Sequence, residues 1–117
     1  MQLRTPHTQA KYNAHRRAQP ADVQCFLCLQ EEVAYELWKL VKNAFPYDRV
    51  AKPGSHFMLC PRRHVAEDYD LNAEEIDERD RIIRYDLSKA FSCIMLNFKP
   101  ARSHPSHLHY HLWVRRD

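Results

Sequence analysis

The sequence predicts a single α+β domain in which one main helix packs on a small antiparallel β-sheet. Three observations support this class. Short segments with the alternating pattern of strands end at proline, glycine or asparagine, and short connections between them favour antiparallel pairing. One longer segment, residues 72–91, has the apolar spacing of an amphipathic helix. The length of 117 residues suits one domain, and a hydrophobic content of 44% is too high for a disordered chain.

Residues 1–24 are expected to form a polar N-terminal arm in front of a domain of residues 25–117. The arm is basic and is interrupted by Pro6 and Pro20. Its composition favours a solvated tail that contains a short helix over residues 8–17.

Two strands are predicted in the first half of the domain. The first covers residues 33–41 and is stopped by the segment 43–46. The second covers residues 56–60, between a turn at 52–55 and Pro61.

The main helix follows. Asn72 and Glu75 have the spacing of a capping box, and acidic residues crowd the first turn, as the helix dipole favours. Its predicted apolar face consists of Ile76, Ile83, Leu87 and Ala90. Strands over residues 91–98 and 107–114 complete the order strand, strand, helix, strand, strand.

The composition also excludes several classes of protein. No apolar run reaches the roughly 18–20 residues of a membrane span, and no signal peptide is recognisable, so a cytoplasmic location is expected. A net charge of +3 is too balanced to predict nucleic-acid binding. The single glycine, Gly54, rules out a glycine-rich phosphate loop.

Three histidines alternate in the last predicted strand. His107, His109 and His111 lie on one face together with Trp113, because side chains two residues apart in a strand share a face. A row of buried imidazoles requires metal, phosphate or hydrogen-bonded partners. A half-exposed polar strand face and a catalytic zinc site are the alternatives.

Cys25 and Cys28 form a C-x-x-C pair. In a cytosolic chain this spacing indicates a metal site, a redox pair or two buried cysteines that pack as small hydrophobic residues. No thioredoxin-like βαβ pattern surrounds the pair, and a single metal ion would need two further ligands.

Together these motifs resemble the histidine triad (HIT) family. The triad segment, Cys25-Phe-Leu-Cys28, the segment 55–64 and a strand ending in Asn97 occur in the order and at nearly the spacing of that family over residues 25–114. The resemblance implies a HIT-like fold, a homodimer formed by joining two sheets, and a nucleotide or dinucleotide as substrate.

The resemblance further implies a nucleotide phosphoester or phosphoramidate hydrolase, or a nucleotidyl transferase. His109, the middle member of the triad with His107 and His111, would attack the α-phosphorus and form a covalent nucleotidyl intermediate that water cleaves. His111 would donate to the phosphoryl oxygens, and Asn97 would bind the phosphate or the leaving group.

The implied substrate-binding residues are His56 near the phosphate and either Asp48 or Asn43 at the ribose. The segment Asn43-Ala-Phe-Pro46 is also similar to the uridylyltransferase and dinucleotide phosphorylase branch, but that branch has glutamine where this chain has His111. His104 occupies the place of a family serine before the triad, so Ser103 or Ser106 would substitute for that serine.

Some bacterial HIT proteins carry a structural zinc ion, and the resemblance implies that Cys25, Cys28, His64 and His107 would bind it here. The chemistry itself would need no cofactor. A zinc-dependent binding module without turnover is the alternative from another class of function.

Overall fold

A five-stranded antiparallel sheet forms the centre of the fold, with the strand order β1-β2-β3-β5-β4. The computed structural model describes residues 2–19, 25–102 and 104–117. The strands are β1 (Val33–Ala34), β2 (Trp38–Lys42), β3 (Phe57–Pro61), β4 (Cys93–Met95) and β5 (Tyr110–Trp113). The predicted α+β class with an antiparallel sheet is confirmed.

The predicted first strand is in fact two strands. Residues 33–41 fold into the β1–β2 hairpin, in which the backbone N–H of Tyr35 donates to the carbonyl of Trp38 at 2.9 Å. The final strand is also shorter than the predicted 107–114: the N–H of Leu108 bonds to the carbonyl of Val65, and regular pairing with β3 begins at Tyr110.

The helix that packs on the sheet begins as predicted at a capping box formed by Asn72 and Glu75. It comprises α3 (Ala73–Ile82), a π-helical turn (Ile83–Leu87) and α4 (Ser88–Ala90). The π turn brings Ile82 and Leu87, five residues apart, into the same core. Within α3 the buried positions are Glu75, Glu78 and Ile82, so Ile76 of the predicted apolar face is 37% exposed rather than buried. Within the described ranges, no helix is both long and apolar enough to cross a membrane.

The two faces of the sheet are buried against different elements. One face packs under α3 and forms the main core, in which Trp38, Leu59 and Leu112 are almost fully buried. Glu78 joins this helix to the hairpin, because its Oε1 accepts hydrogen bonds from the N–H groups of Leu37 and Trp38. The opposite face carries the triad histidines.

Two further helices, α1 (Pro6–Ala18) and the single turn α2 (Phe26–Leu29), are described before β1. The Asp48 carboxylate accepts hydrogen bonds from the backbone N–H of Thr5 at 2.7 Å and from the hydroxyls of Thr5 and Thr8. The rings of Tyr12 and His15 contact Phe45. The N-terminal helix is therefore docked on the domain, in contrast to the solvated tail that its composition predicts.

Asp48→Asn should loosen this contact and lower the free energy of unfolding. Partial burial would raise the pKa of Asp48, but the hydrogen bonds from Thr8 and Thr5 outweigh it and lower the pKa to about 2, against an ordinary value of 3.8. The ionised carboxylate therefore stabilises the fold above about pH 4, and this contribution is lost as the pH falls toward 2. Urea unfolding at pH 7 should show that the free energy of unfolding of Asp48→Asn is about 1–3 kcal/mol lower than that of wild type.

The exposed Asp77→Asn serves as the control and should cost less than about 0.5 kcal/mol, since its ion pair with Arg81 lies at the surface. The difference in the free energy of unfolding between wild type and Asp48→Asn should be smaller at pH 3 than at pH 7. Equal stability of the two proteins at pH 7 would contradict the docking of α1 through Asp48.

Candidate functional site

The triad histidines lie on the sheet face opposite the main core. The register between β3 and β5 pairs Met58 with His111, whereas His109 and His107 precede β5 and lie outside the regular pairing. All three side chains are buried, with exposures of 0%, 4% and 3% for His107, His109 and His111. The rings of His109 and His111 lie side by side, with centroids 4.9 Å apart, and the ring of His107 faces Cys25 and Cys28.

The hydrogen bonds of His109 determine which ring nitrogen carries its proton. Nδ1 of His109 lies 2.9 Å from the carbonyl oxygen of His107. A carbonyl can only accept, so Nδ1 must be the donor, and in the neutral ring Nε2 then keeps a free lone pair. The nitrogen that attacks must be the one with the lone pair, so this tautomer allows attack through Nε2.

A chain of hydrogen bonds fixes the protons of His56 and His111 in the same way. The backbone N–H of Tyr47 donates to Nδ1 of His56 at 3.0 Å. Nε2 of His56 must then carry the proton of the neutral ring, and it donates to Nδ1 of His111 at 2.9 Å. His111 is left with its proton on Nε2, which lies 3.3 Å from the Tyr47 hydroxyl. His111 is consequently a donor.

Asn97 is joined to the triad through Tyr47. Its side-chain amide donates to the Tyr47 hydroxyl at 3.3 Å, the same oxygen that lies near His111. Asn97 borders a shallow depression beside Arg4 and does not line the cavity that contains His109. Tyr47 was not predicted to belong to the site, since a single tyrosine in a loop gives no distinctive signal.

Burial keeps these imidazoles neutral near pH 7. Desolvation lowers the pKa of His109, lowers that of His111 well below its ordinary value, and lowers that of His56 to about 3. It also lowers the pKa of His107 to about 4. Nε2 of His109 is thus unprotonated at neutral pH.

A cavity of about 190 Å³ opens in front of His109 and His111. Its walls include Asn43 and Phe45 together with Tyr12 and His15 of α1. Oδ1 of Asn43 accepts from the backbone N–H of Phe45 at 2.8 Å, so the side-chain amide group turns toward the sulfur of Met58 at 3.8 Å.

Of the other predicted substrate-binding residues, those that the structure describes lie outside this cavity. The Asp48 carboxylate is occupied by Thr5 and Thr8. His56 is buried behind His111. Ser106 borders a neighbouring cavity beside His104, and Ser103 lies outside the described residues.

The predicted metal ligands come together at the edge of the same sheet face. Nδ1 of His107 lies 3.4 Å from the sulfur of Cys25 and 3.4 Å from the sulfur of Cys28. Nδ1 of His64 lies 3.1 Å from the Cys28 sulfur, and the four ligand atoms are all within 4.8 Å of one another. This Cys₂His₂ cluster could bind a metal ion.

The proton on His107 supports this arrangement. Nε2 of His107 lies 2.8 Å from the carbonyl oxygen of Pro61 and must donate to it, which leaves the Nδ1 lone pair directed at the two sulfurs. A metal-ligating histidine usually donates its other ring N–H to an acceptor such as a backbone carbonyl, which fixes the orientation of the ring. His104, which was not among the predicted ligands, also lies here, with its Nε2 3.0 Å from the Cys25 sulfur.

Comparison with known proteins supports the fold. The chain is similar to the crystal structure of a HIT family hydrolase from Legionella pneumophila Philadelphia 1, with a TM-score of 0.55 and 17% sequence identity over 80% of this chain and 95% of that chain. No protein-family model and no curated protein sequence matches the chain. The predicted HIT-like fold is confirmed by this structural similarity.

Proposed function

We propose that the protein hydrolyses nucleotide phosphoesters or phosphoramidates through a covalent nucleotidyl intermediate on His109. The observation that carries this proposal is the bond from Nδ1 of His109 to the carbonyl of His107, which leaves the Nε2 lone pair free in a cavity. A neutral, oriented imidazole is a competent nucleophile at phosphorus.

In the proposed reaction, Nε2 of His109 forms a bond to the α-phosphorus while the bond from this phosphorus to the leaving group breaks. Water then attacks the same phosphorus, the P–N bond breaks, and the nucleoside monophosphate is released. Over the two steps, the hydroxyl group of the water is added to the phosphorus, and the remaining proton goes to the leaving group. Two steps of moderate barrier replace one difficult displacement.

The neighbouring side chains have separate proposed roles. His111 would donate its Nε2 proton to a phosphoryl oxygen in place of its 3.3 Å contact with Tyr47. His56 is a positioning residue, since its hydrogen bond keeps His111 a donor. Asn97 would act through Tyr47, and Asn43 in the cavity wall is better placed for the ribose than Asp48.

His109→Ala should abolish covalent labelling and reduce kcat by at least about 10³-fold, because the nucleophile is lost. The substrate is an adenosine 5′-phosphoramidate with a radiolabelled phosphate, and acid-quenched protein is analysed for bound label. The exposed His7→Ala is the control and should label and turn over like wild type.

Retention of a tenth of kcat in His109→Ala would overturn the covalent mechanism. Product analysis with added phosphate separates two outcomes: adenosine monophosphate as the product supports hydrolysis, and adenosine diphosphate indicates a nucleotidyl transferase. A wild-type protein that binds the nucleotide without label or product would be a binding module.

We also propose that the Cys₂His₂ cluster holds a structural zinc ion. Two thiolates and two imidazoles form a closed donor set of the kind that zinc prefers in structural sites. When bound, zinc would join α2, through Cys25 at its N-cap and Cys28 within it, to His64 and His107. His109 lies outside this donor set.

The purified protein should contain about one zinc ion per chain, because structural sites of this type bind tightly. Metal analysis should give less than one tenth of this in Cys25→Ser/Cys28→Ser, with a lower Tm. Cys93→Ser removes a cysteine outside the cluster and should keep the metal. Wild-type protein that is purified without chelators and lacks zinc would contradict the proposal.

We also propose a homodimer that forms through the outer edge of β4, which pairs with no further strand among the described residues. This strand lies at the end of the sheet, Ile94 is 41% exposed, and an apolar depression beside it is lined by Phe91 and Leu87. An antiparallel edge can pair with its own copy about a two-fold axis.

Light scattering should give twice the chain mass for wild type and the monomer mass for Ile94→Asp. A wild-type protein that is monomeric would contradict the proposed dimer.

A further inference from the structure

The N-terminal helix presents one face to the cavity in front of His109. Thr8, Tyr12 and His15 are spaced by four and three residues, so they lie on the same side of α1. The Thr8 hydroxyl donates a hydrogen bond to the Asp48 carboxylate, and Tyr12 and His15 both line the cavity. The hydrogen bonds at Asp48 therefore fix which side of the helix faces the catalytic histidines.

Aromatic rings form the wall on this side. The Tyr12 and His15 ring centroids lie 5.3 Å and 5.1 Å from that of Phe45. Arg4 braces the wall, since its Nε donates to the carbonyl of Phe45 at 2.6 Å and its guanidinium carbon lies 4.4 Å from the centroid of the Tyr12 ring.

We propose that Tyr12 and His15 of α1, together with Phe45, form the surface that binds the base of the nucleotide whose phosphate reacts at His109. This inference rests on the proposed function. A flat, rigid base gains most from packing on aromatic rings, and such contacts tolerate any base because every base has a π-face. Residues 1–19 also contain no acidic side chain, which suits an anionic ligand.

The assignment gives α1 a role in substrate binding although it precedes the stretch 25–114 that resembles the HIT family. It also explains the position of Asp48 at the N-terminus of this helix. Asp48 is a positioning residue in this account: it holds α1 and makes no contact with the base.

Binding of adenosine monophosphate and of ribose 5-phosphate, measured by titration calorimetry, tests the proposal. Ribose 5-phosphate keeps the sugar and phosphate but lacks the base. Tyr12→Leu keeps most of the apolar volume without the ring, and it should weaken adenosine monophosphate binding roughly tenfold or more. His15→Ala should weaken it by about threefold or more. Neither variant should change the affinity for ribose 5-phosphate.

Tyr12→Phe and His7→Ala are the matched controls. The first retains the aromatic ring, and the second removes an exposed histidine from the same helix that does not line the cavity; both should bind adenosine monophosphate like wild type. Hydrogen exchange should show stronger protection of the α1 amides in wild type when adenosine monophosphate is bound.

Unchanged affinity for adenosine monophosphate in Tyr12→Leu and His15→Ala, in a protein that still labels His109, would overturn the base-binding wall alone. Tighter binding in these variants would also overturn it, because α1 would then obstruct the cavity. Absence of labelling in wild type would instead overturn the proposed function on which the inference rests.

Discussion

The hydrogen bond from Nδ1 of His109 to the backbone carbonyl of His107 is the interaction on which the candidate site depends. At 2.9 Å it fixes the tautomer of the ring and its orientation together. Without it, burial would still keep the imidazole neutral, but the lone pair could appear on either nitrogen. Because the acceptor belongs to the backbone two residues earlier, the geometry of the chain just before β5 decides whether His109 can act as a nucleophile.

His107 connects this interaction to the metal-ligating cluster. Its carbonyl accepts from His109, Nε2 donates to the carbonyl of Pro61, and Nδ1 points at the two cysteine sulfurs. The proposed zinc would therefore anchor the segment that orients His109, the proposed nucleophile, without touching the substrate. On the other side of His109, His56 and Tyr47 fix the proton of His111, so that an acceptor and a donor lie next to each other in the cavity.

The sequence predicted the triad face and the helix N-terminus because both depend on strong local rules, the two-residue period of a strand and the capping box of Asn72 and Glu75. The β1–β2 hairpin was missed, since its turn between Tyr35 and Trp38 contains no glycine, proline or asparagine. The docking of α1 depends on Asp48, some 40 residues away, and such a contact leaves no local pattern. The π turn was missed because it lets Ile82 and Leu87, five residues apart, share the core, whereas the prediction assumed the regular α-helical spacing.

Side-chain ¹⁵N NMR of the histidines near pH 7 tests the central claim most directly, with the His109 signals assigned by their absence in His109→Ala. The account predicts a neutral His109 with its proton on Nδ1 and an unprotonated Nε2, beside His56 and His111 that carry their protons on Nε2. A His109 protonated on Nε2, or an imidazolium at this pH, would contradict the account, because no lone pair would then be available in the cavity.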